Sequence, residues 1–219
     1  MNYTSARRYT SSDRWISRLD RHLRQFTQRT LQETAPRPSP ALDHEEPNLS
    51  RQEREHAAGL MRVNHTGEVC AQALYQGQAL VSRSNHTRDQ LLSAAKEEAD
   101  HLEWCKTRLS ELNAKPSRLN PFFYSASFAL GAATAVAGDK ISLGFVHATE
   151  ERVANHLRAH LKALPSEDRK SQLILQQMLS DEERHGEEAL SHGGQEFPRP
   201  IKDVMSLASK VMTKTTYWI

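Results

Sequence analysis

With 219 residues the chain is long enough for one domain with a sizeable core and a tail. A formal charge of +2 does not announce a nucleic-acid binder, and two cysteines, Cys70 and Cys105, make neither a disulfide framework nor a CxxC metal pair. The thiols suit a reducing compartment and read as core fillers.

The first thirty residues are rich in Arg, Ser and Thr but hold no apolar run of the kind a secretory signal needs. Their composition leaves a mitochondrial presequence open. Ile16, Leu19, Leu23 and Phe26 fall at helical spacing among arginines, the pattern of a short basic amphipathic helix that could lie on a membrane or pack on its own domain. Pro36, Pro38, Pro40 and Pro47 then mark a linker without periodicity that runs to Ser50. The expected organisation is therefore a basic N-terminal segment over 1–50, with its short helix and Pro-rich linker, and one folded domain over 51–219.

From there apolar residues keep helical time almost throughout. The pattern predicts helices at 51–83, 86–113, 121–136, 139–163, 167–191 and 199–216, with breaks at "SRSN", "NAKPSRLNP", "AGD", "LPSED" and "HGGQEFPRP". No stretch alternates like a strand over a useful length. The fold class is all-α, and the short loops make sequence neighbours antiparallel.

Each of the four long helices carries a glutamate on the stripe it should bury. The seams run Leu60, Asn64, Glu68, Ala71, Tyr75; then Leu91, Ala95, Glu98, Leu102, Cys105; then Leu143, Val146, Glu150, Val153, Leu157; then Ile174, Met178, Glu182, His185, Ala189. An unpaired ionised carboxylate in a core costs several kcal/mol or more, so four of them need a common cause. On the second and fourth seams a histidine follows the glutamate by three residues, as "EADH" (Glu98, His101) and "EERH" (Glu182, His185), which lets both side chains reach one point. The order Glu, ExxH, Glu, ExxH is how a four-helix bundle holds two metal ions. Four carboxylates and two imidazoles form a hard, oxygen-rich cage suited to iron or manganese, and iron is the one that activates dioxygen.

Within that cage Glu98 and Glu182 are the expected bridges. Asp181 and Glu97, one residue earlier, are placed to hold the outer nitrogen of the opposite histidine. A lone ExxH carries little weight: Glu53 and His56 share the spacing but stand at a helix start with no partner motif, and read as a solvated surface pair. The other histidines lack such a pattern, although His156 lies near enough to Glu150 to reach the rim of the site.

Residues 121–138, "PFFYSASFALGAATAVAG", are apolar but too short to span a bilayer comfortably. A buried core helix is one reading. The other is a membrane-facing helix, because a four-helix bundle already has its core. The C-terminal segment likewise sets Val204, Leu207, Val211 and Met212 among lysines and ends in Tyr217 and Trp218, aromatic anchors of interfacial type. Peripheral attachment to a membrane is the expectation.

Over most of its length from about residue 51 onward, the sequence resembles the demethoxyubiquinol hydroxylases, di-iron monooxygenases of ubiquinone synthesis, and their bacterial branch more than the mitochondrial one. The resemblance rests on "HAAGLMRVNHTGEVCAQALYQGQA" around Glu68, "EEADHLEWC", "TEERVANHL" around Glu150 and "SDEERHGEEA" around Glu182. It implies a ferritin-like bundle with an extra apolar helix and a membrane-associated C-terminal helix. It also implies two iron ions on Glu68, Glu98, His101, Glu150, Glu182 and His185, and O2-dependent hydroxylation of a polyprenyl methoxy-methyl-benzoquinol ring. The implied partners are the quinol, O2, a membrane surface and other ubiquinone-biosynthesis proteins, with no nucleic acid. The implied place is the cytoplasmic face of the cell membrane, or the mitochondrial inner membrane in the alternative. A tyrosine near the site in some members is Leu157 here, while Tyr217 is the candidate for a retained substrate contact. Rival readings are an iron-storage or ferroxidase protein with the same ligands, a radical generator using Tyr75, and a non-enzymatic membrane scaffold.

Overall fold

The computed structural model describes residues 37–219, and every regular element among them is an α-helix. In chain order these are α1 (Arg51–Val81), α2 (Asn85–Glu111), α3 (Asn120–Val136), α4 (Asp139–Ala163), α5 (Arg169–Ser191) and α6 (Arg199–Thr216). Their number and order are those predicted from periodicity, and local chemistry sets their ends. Ser50 and Glu53 form a reciprocal capping box on α1, and the side chains of Ser84 and Asp168 accept backbone N–H groups at the starts of α2 and α5. The amphipathic N-terminal helix expected around Ile16 lies outside the described residues.

Helices α1, α2, α4 and α5 form the bundle, each antiparallel to its neighbours. Hydrogen bonds mark the pairings: Gln72 to the Ala95 carbonyl joins α1 to α2, His160 Nδ1 to the Asn64 amide oxygen joins α4 to α1, and Arg108 to Ser171 joins α2 to α5. Below the seam glutamates the interior is apolar, with Met61, Leu109, Leu157, Leu175 and Met178 almost wholly buried. Cys105 belongs to this core, as its reading as a filler required.

Helix α3 returns the chain from the end of α2 to the start of α4. It meets α1 at a glycine crossing, where a methyl group on Gly77 would overlap the Phe128 carbonyl and one on Gly131 would overlap the Leu74 carbonyl. The two backbones therefore touch. Of the whole of α3 only Gly131 and Ala135 are buried, while Phe122, Leu130 and Val136 remain exposed. Its reading as a core helix thus fails, because the bundle interior is already filled by the other four. Gly138, with φ of 116°, makes the tight turn into α4 that an L side chain would strain. Helix α6 lies along α1 and α4, with Arg152 donating to Ser206 and to the Lys202 carbonyl.

Two surface expectations need correction. The Pro-rich stretch before Ser50, expected as a linker over its described part, is a strap on the bundle: Ala41 and Leu49 are buried, Arg37 binds Asp100, and Glu46 pairs with the fully buried Arg108. Proline bars helix there without preventing side-chain burial. Of Glu53 and His56, expected as a solvated pair, the first is exposed and the second is tied down. Glu53 serves the helix cap, and His56 lies between the Tyr217 hydroxyl (2.6 Å from Nδ1) and the Ala163 carbonyl (2.9 Å from Nε2).

The glycine crossing makes a pair of substitutions with opposite signs. Gly77→Val should lower the unfolding free energy by about 1–3 kcal/mol, since neither backbone can give way. Gly67→Ala faces open space in the same helix and should raise it by roughly 0.5–1 kcal/mol. Urea denaturation of the two variants beside the wild type is the measurement.

Candidate metal centre

The seam residues converge at mid-bundle. Glu68 on α1, Glu98 and His101 on α2 and Glu182 on α5 are all buried, and one ligand atom from each lies within 4.8 Å of the others, a cluster able to hold a metal ion. His101 Nδ1 stands 3.6 Å from Glu68 Oε2, 3.1 Å from Glu98 Oε2 and 3.2 Å from Glu182 Oε1. His185 Nδ1 lies 3.4 Å from Glu98 Oε1 and 3.5 Å from Glu182 Oε2. Glu98 and Glu182 therefore each turn one oxygen to one histidine and the other oxygen to the second. Glu150, fully buried on α4, accepts a hydrogen bond from the Tyr75 hydroxyl. The arrangement has a near two-fold symmetry, with Glu68 on the His101 side and Glu150 on the His185 side.

The outer nitrogens of both imidazoles point at carboxylates from the facing helix. His101 Nε2 is 3.0 Å from Asp181 Oδ2, and His185 Nε2 is 3.4 Å from Glu97 Oε2. Such contacts fix the ring orientation and leave Nδ1 facing the cluster. Tyr217 stands elsewhere: its hydroxyl is taken by His56 and its ring packs against Gly59.

The electrostatics are those of a cation site. Burial pushes Glu68 and Glu150 well above the usual carboxylate range, reinforced by the neighbouring Glu98 and Glu182. Burial works against charge on His185 too, but the carboxylates of Glu182, Glu97 and Glu98 raise it to about 12. The neighbouring His185, with Arg184, brings Glu97 down to about 2 against the effect of burial.

Do these side chains suit a metal ion on their own chemistry? Buried Glu98 Oε1, Glu150 Oε2, both oxygens of Glu182 and His185 Nδ1 have no hydrogen-bond partner of good geometry. Buried polar atoms are almost always satisfied, and these converge on one volume. Hard oxygen donors with two imidazoles match a divalent first-row ion.

A largely apolar cavity of about 350 Å³ leads to this cluster between α3 and α6, floored by α1 and α4. Glu68 lies at its inner end. Phe122, Phe123 and Leu130 of α3 face Met205, Ala208 and Met212 of α6 across it, and Asn64, His156 and Leu157 line its depth.

A family model described as "Ubiquinone biosynthesis protein COQ7" matches residues 55–216. The chain belongs to this family. It is 53% identical over 213 residues to a 3-demethoxyubiquinol 3-hydroxylase of Azotobacter vinelandii, covering 97% of this chain and 98% of that protein. The proteins of the same name from Pseudomonas fluorescens and Pseudomonas paraeruginosa are each 51% identical, over 216 and 213 residues. Coverage is 99% of this chain and 100% of the relative in the first case, and 97% and 98% in the second.

The geometry adds contacts that periodicity does not give. Tyr75 stands on its seam, two turns past Glu68, but its hydrogen bond to Glu150 depends on how α1 and α4 pack. Arg37 gives no periodic signal in a Pro-rich stretch, yet its Nη1 lies 3.0 Å from Asp181 Oδ2.

Metal binding to the folded chain alone should stabilise it. Anaerobic Fe(II) at roughly a hundredfold over its Kd adds about 2.7 kcal/mol, which is a rise of about 5–10 °C in Tm. Glu98→Ala should show no such rise, as thermal melts with and without Fe(II) would reveal.

Proposed function

We propose that the cluster holds two iron ions and that the chain uses O2 to hydroxylate the ring of a polyprenyl demethoxyubiquinol. The observation that carries this reading is the junction at Glu68, where an apolar cavity meets a buried carboxylate–imidazole cluster. The names of the relatives supply the identity of the quinol. Bound iron would supply the chemistry the side chains lack, the activation of O2 and delivery of one oxygen atom to the ring.

The protein's own residues do the rest. Glu68 and His101 would hold one ion, Glu150 and His185 the other, and Glu98 and Glu182 would bridge them. Four carboxylates then balance two divalent charges inside the core. Asp181 and Glu97 keep the imidazoles aimed, and Tyr75 fixes the carboxylate plane of Glu150. The aromatic and aliphatic walls of the cavity would exclude water and confine the ring beside Glu68. His156 Nε2, buried without a hydrogen-bond partner, and Asn64 offer polar contacts to ring oxygens. Leu157 lines the same space without a hydroxyl. An iron-storage role would leave this cavity without purpose.

A substrate with a long isoprenoid tail cannot approach through water, and the rim of the cavity suits a lipid surface. Phe122, Leu130, Val136, Val204, Leu207, Val211 and Trp218 are all exposed, on the two helices that border it and just beyond. No helix among the described residues is long and apolar enough to cross a membrane. The reading is peripheral attachment through α3 and α6, at the cytoplasmic face of the cell membrane as in a bacterial enzyme.

Two experiments test these readings. Incubation with a demethoxyubiquinol analogue, reductant and 18O2 should give singly hydroxylated product carrying the heavy atom, with turnover lost in Glu150→Ala. Unlabelled product, or full turnover in a variant that has lost its iron, refutes the reading. Full-length protein should float with liposomes and be released by carbonate, whereas the double variant Leu207→Glu, Val211→Glu should stay in the soluble fraction. A wild type that never floats would remove the membrane from the account.

A further inference from the structure

The near-symmetry of the centre stops one step beyond the histidines. On one side the chain of contacts runs His101, Asp181, Arg37. Arg37 Nη1 lies 3.0 Å from the same Asp181 oxygen that faces His101, its Nε is 2.9 Å from Asp100 Oδ2, and its backbone N–H donates to Asp100 Oδ1. The guanidinium stacks 4.9 Å over Trp104, whose indole N–H donates back to the Arg37 carbonyl at 3.0 Å. Strap, α2 and α5 are locked together over this imidazole, and His101 has no exposed side-chain surface.

On the other side the chain runs His185, Glu97, Arg184, and all its fixing groups come from α2 and α5 themselves. Glu97 keeps 29% of its side-chain surface in solvent, against 8% for Asp181. A second cavity of about 150 Å³ opens here, away from the apolar one. Tyr75 and His185 form its buried floor, Ser93, Glu188 and His192 are exposed at its mouth, and Gln90 Oε1 faces it with no hydrogen-bond partner. That volume has room for several waters, and its carboxylates and imidazoles can replace a cation's hydration shell stepwise. The larger cavity cannot serve an ion so well, because its walls offer few ligands to a cation shedding water.

We infer that the two metal positions exchange unequally: a divalent cation enters and leaves on the His185 side through this smaller cavity, the more polar of the two, while the strap residue Arg37 seals the His101 side. This rests on the reading of the cluster as a two-iron site. Arg37 is here a positioning residue, acting on the centre through Asp181 and through its own Nη2, which lies 3.3 Å from His101 Nε2. The ion beside His101 can leave only after its neighbour, or after the strap lets go.

The test is release of Fe(II) from the full-length, anaerobically loaded protein into excess bipyridine, followed by absorbance. The wild type should give two phases of equal amplitude, one iron per chain in each. Ser93→Trp, at the exposed mouth, should slow the fast phase about tenfold, and Ser127→Trp, in the apolar cavity, should leave it unchanged. Arg37→Gln should speed the slow phase alone by about tenfold or more, within the range that loss of an outer partner costs a metal site. A general loosening of the fold would speed both phases. Two irons leaving in a single phase, or slowing by Ser127→Trp in place of Ser93→Trp, would overturn the route while leaving the two-iron reading intact. Uptake of fewer than two irons would overturn both.

Discussion

Four carboxylates on the inward faces of four helices are the constraint from which the rest of this molecule follows. In water they would repel and hydrate; in a core they cost several kcal/mol each unless cations or protons balance them. The surrounding structure keeps them together against that tendency. Apolar packing around Met61, Leu109, Leu157 and Met178 lies on one side of the cluster, and the buried Arg108 network ties α2, α5 and the strap at the same end through Asp168, Glu111 and Glu46. Every guanidinium nitrogen of Arg108 is paired, as a charge with no exposed surface must be. Stability is concentrated at one end of the bundle so that the polar middle can be held open for ligands. This is a local trade of stability for function.

The same logic explains why α3 is where it is. A bundle of four helices has no interior left for a fifth, so an apolar crossover helix must lie outside and leave its hydrophobic surface on view. The glycine contacts of Gly77 with Phe128 and of Gly131 with Leu74 seat α3 closely on α1. The two helices stay together over the length of α3, from Thr66 with Asn120 to Gln78 with Thr134, and the cavity that ends at Glu68 lies between α3 and α6. An apolar helix laid outside the bundle thus supplies one wall of that cavity.

The helices and the six cluster residues were legible in the sequence because both depend on periodicity. Helical spacing carries Glu98 to His101 and Glu182 to His185 whatever the tertiary structure, and four glutamates on four buried stripes are hard to accommodate except around cations. Asp181 and Glu97 could be read from their offset of one residue toward the facing helix. What periodicity cannot carry is contact between segments of different kinds. Arg37 sits in a proline-rich stretch whose composition says linker, and only the burial of Ala41 and Leu49 brings it to Asp181. His56 has the spacing of a ligand but is a structural link between α1, α4 and the chain terminus, drawing Tyr217 away from the cavity. Such tertiary hydrogen bonds leave no mark in local sequence.

Substrate and cation make opposite demands on one buried centre. A quinol ring needs a dry, apolar approach, since water near an activated oxidant would divert it; an ion needs polar groups that take over its hydration shell as it moves. A single opening would serve one and hinder the other. The two cavities lie on different faces of the bundle: α3 and α6 border the apolar one beside Glu68, and α2 and α5, with Tyr75 of α1 and Leu143 and Val146 of α4, border the more polar one beside His185. The internal two-fold symmetry of the ligands would make the two sides alike. What breaks it is everything outside the four helices, the strap on one side and the apolar pair α3 and α6 on another. The added segments therefore do more than decorate a symmetric bundle, for they give the two halves of its centre unlike surroundings.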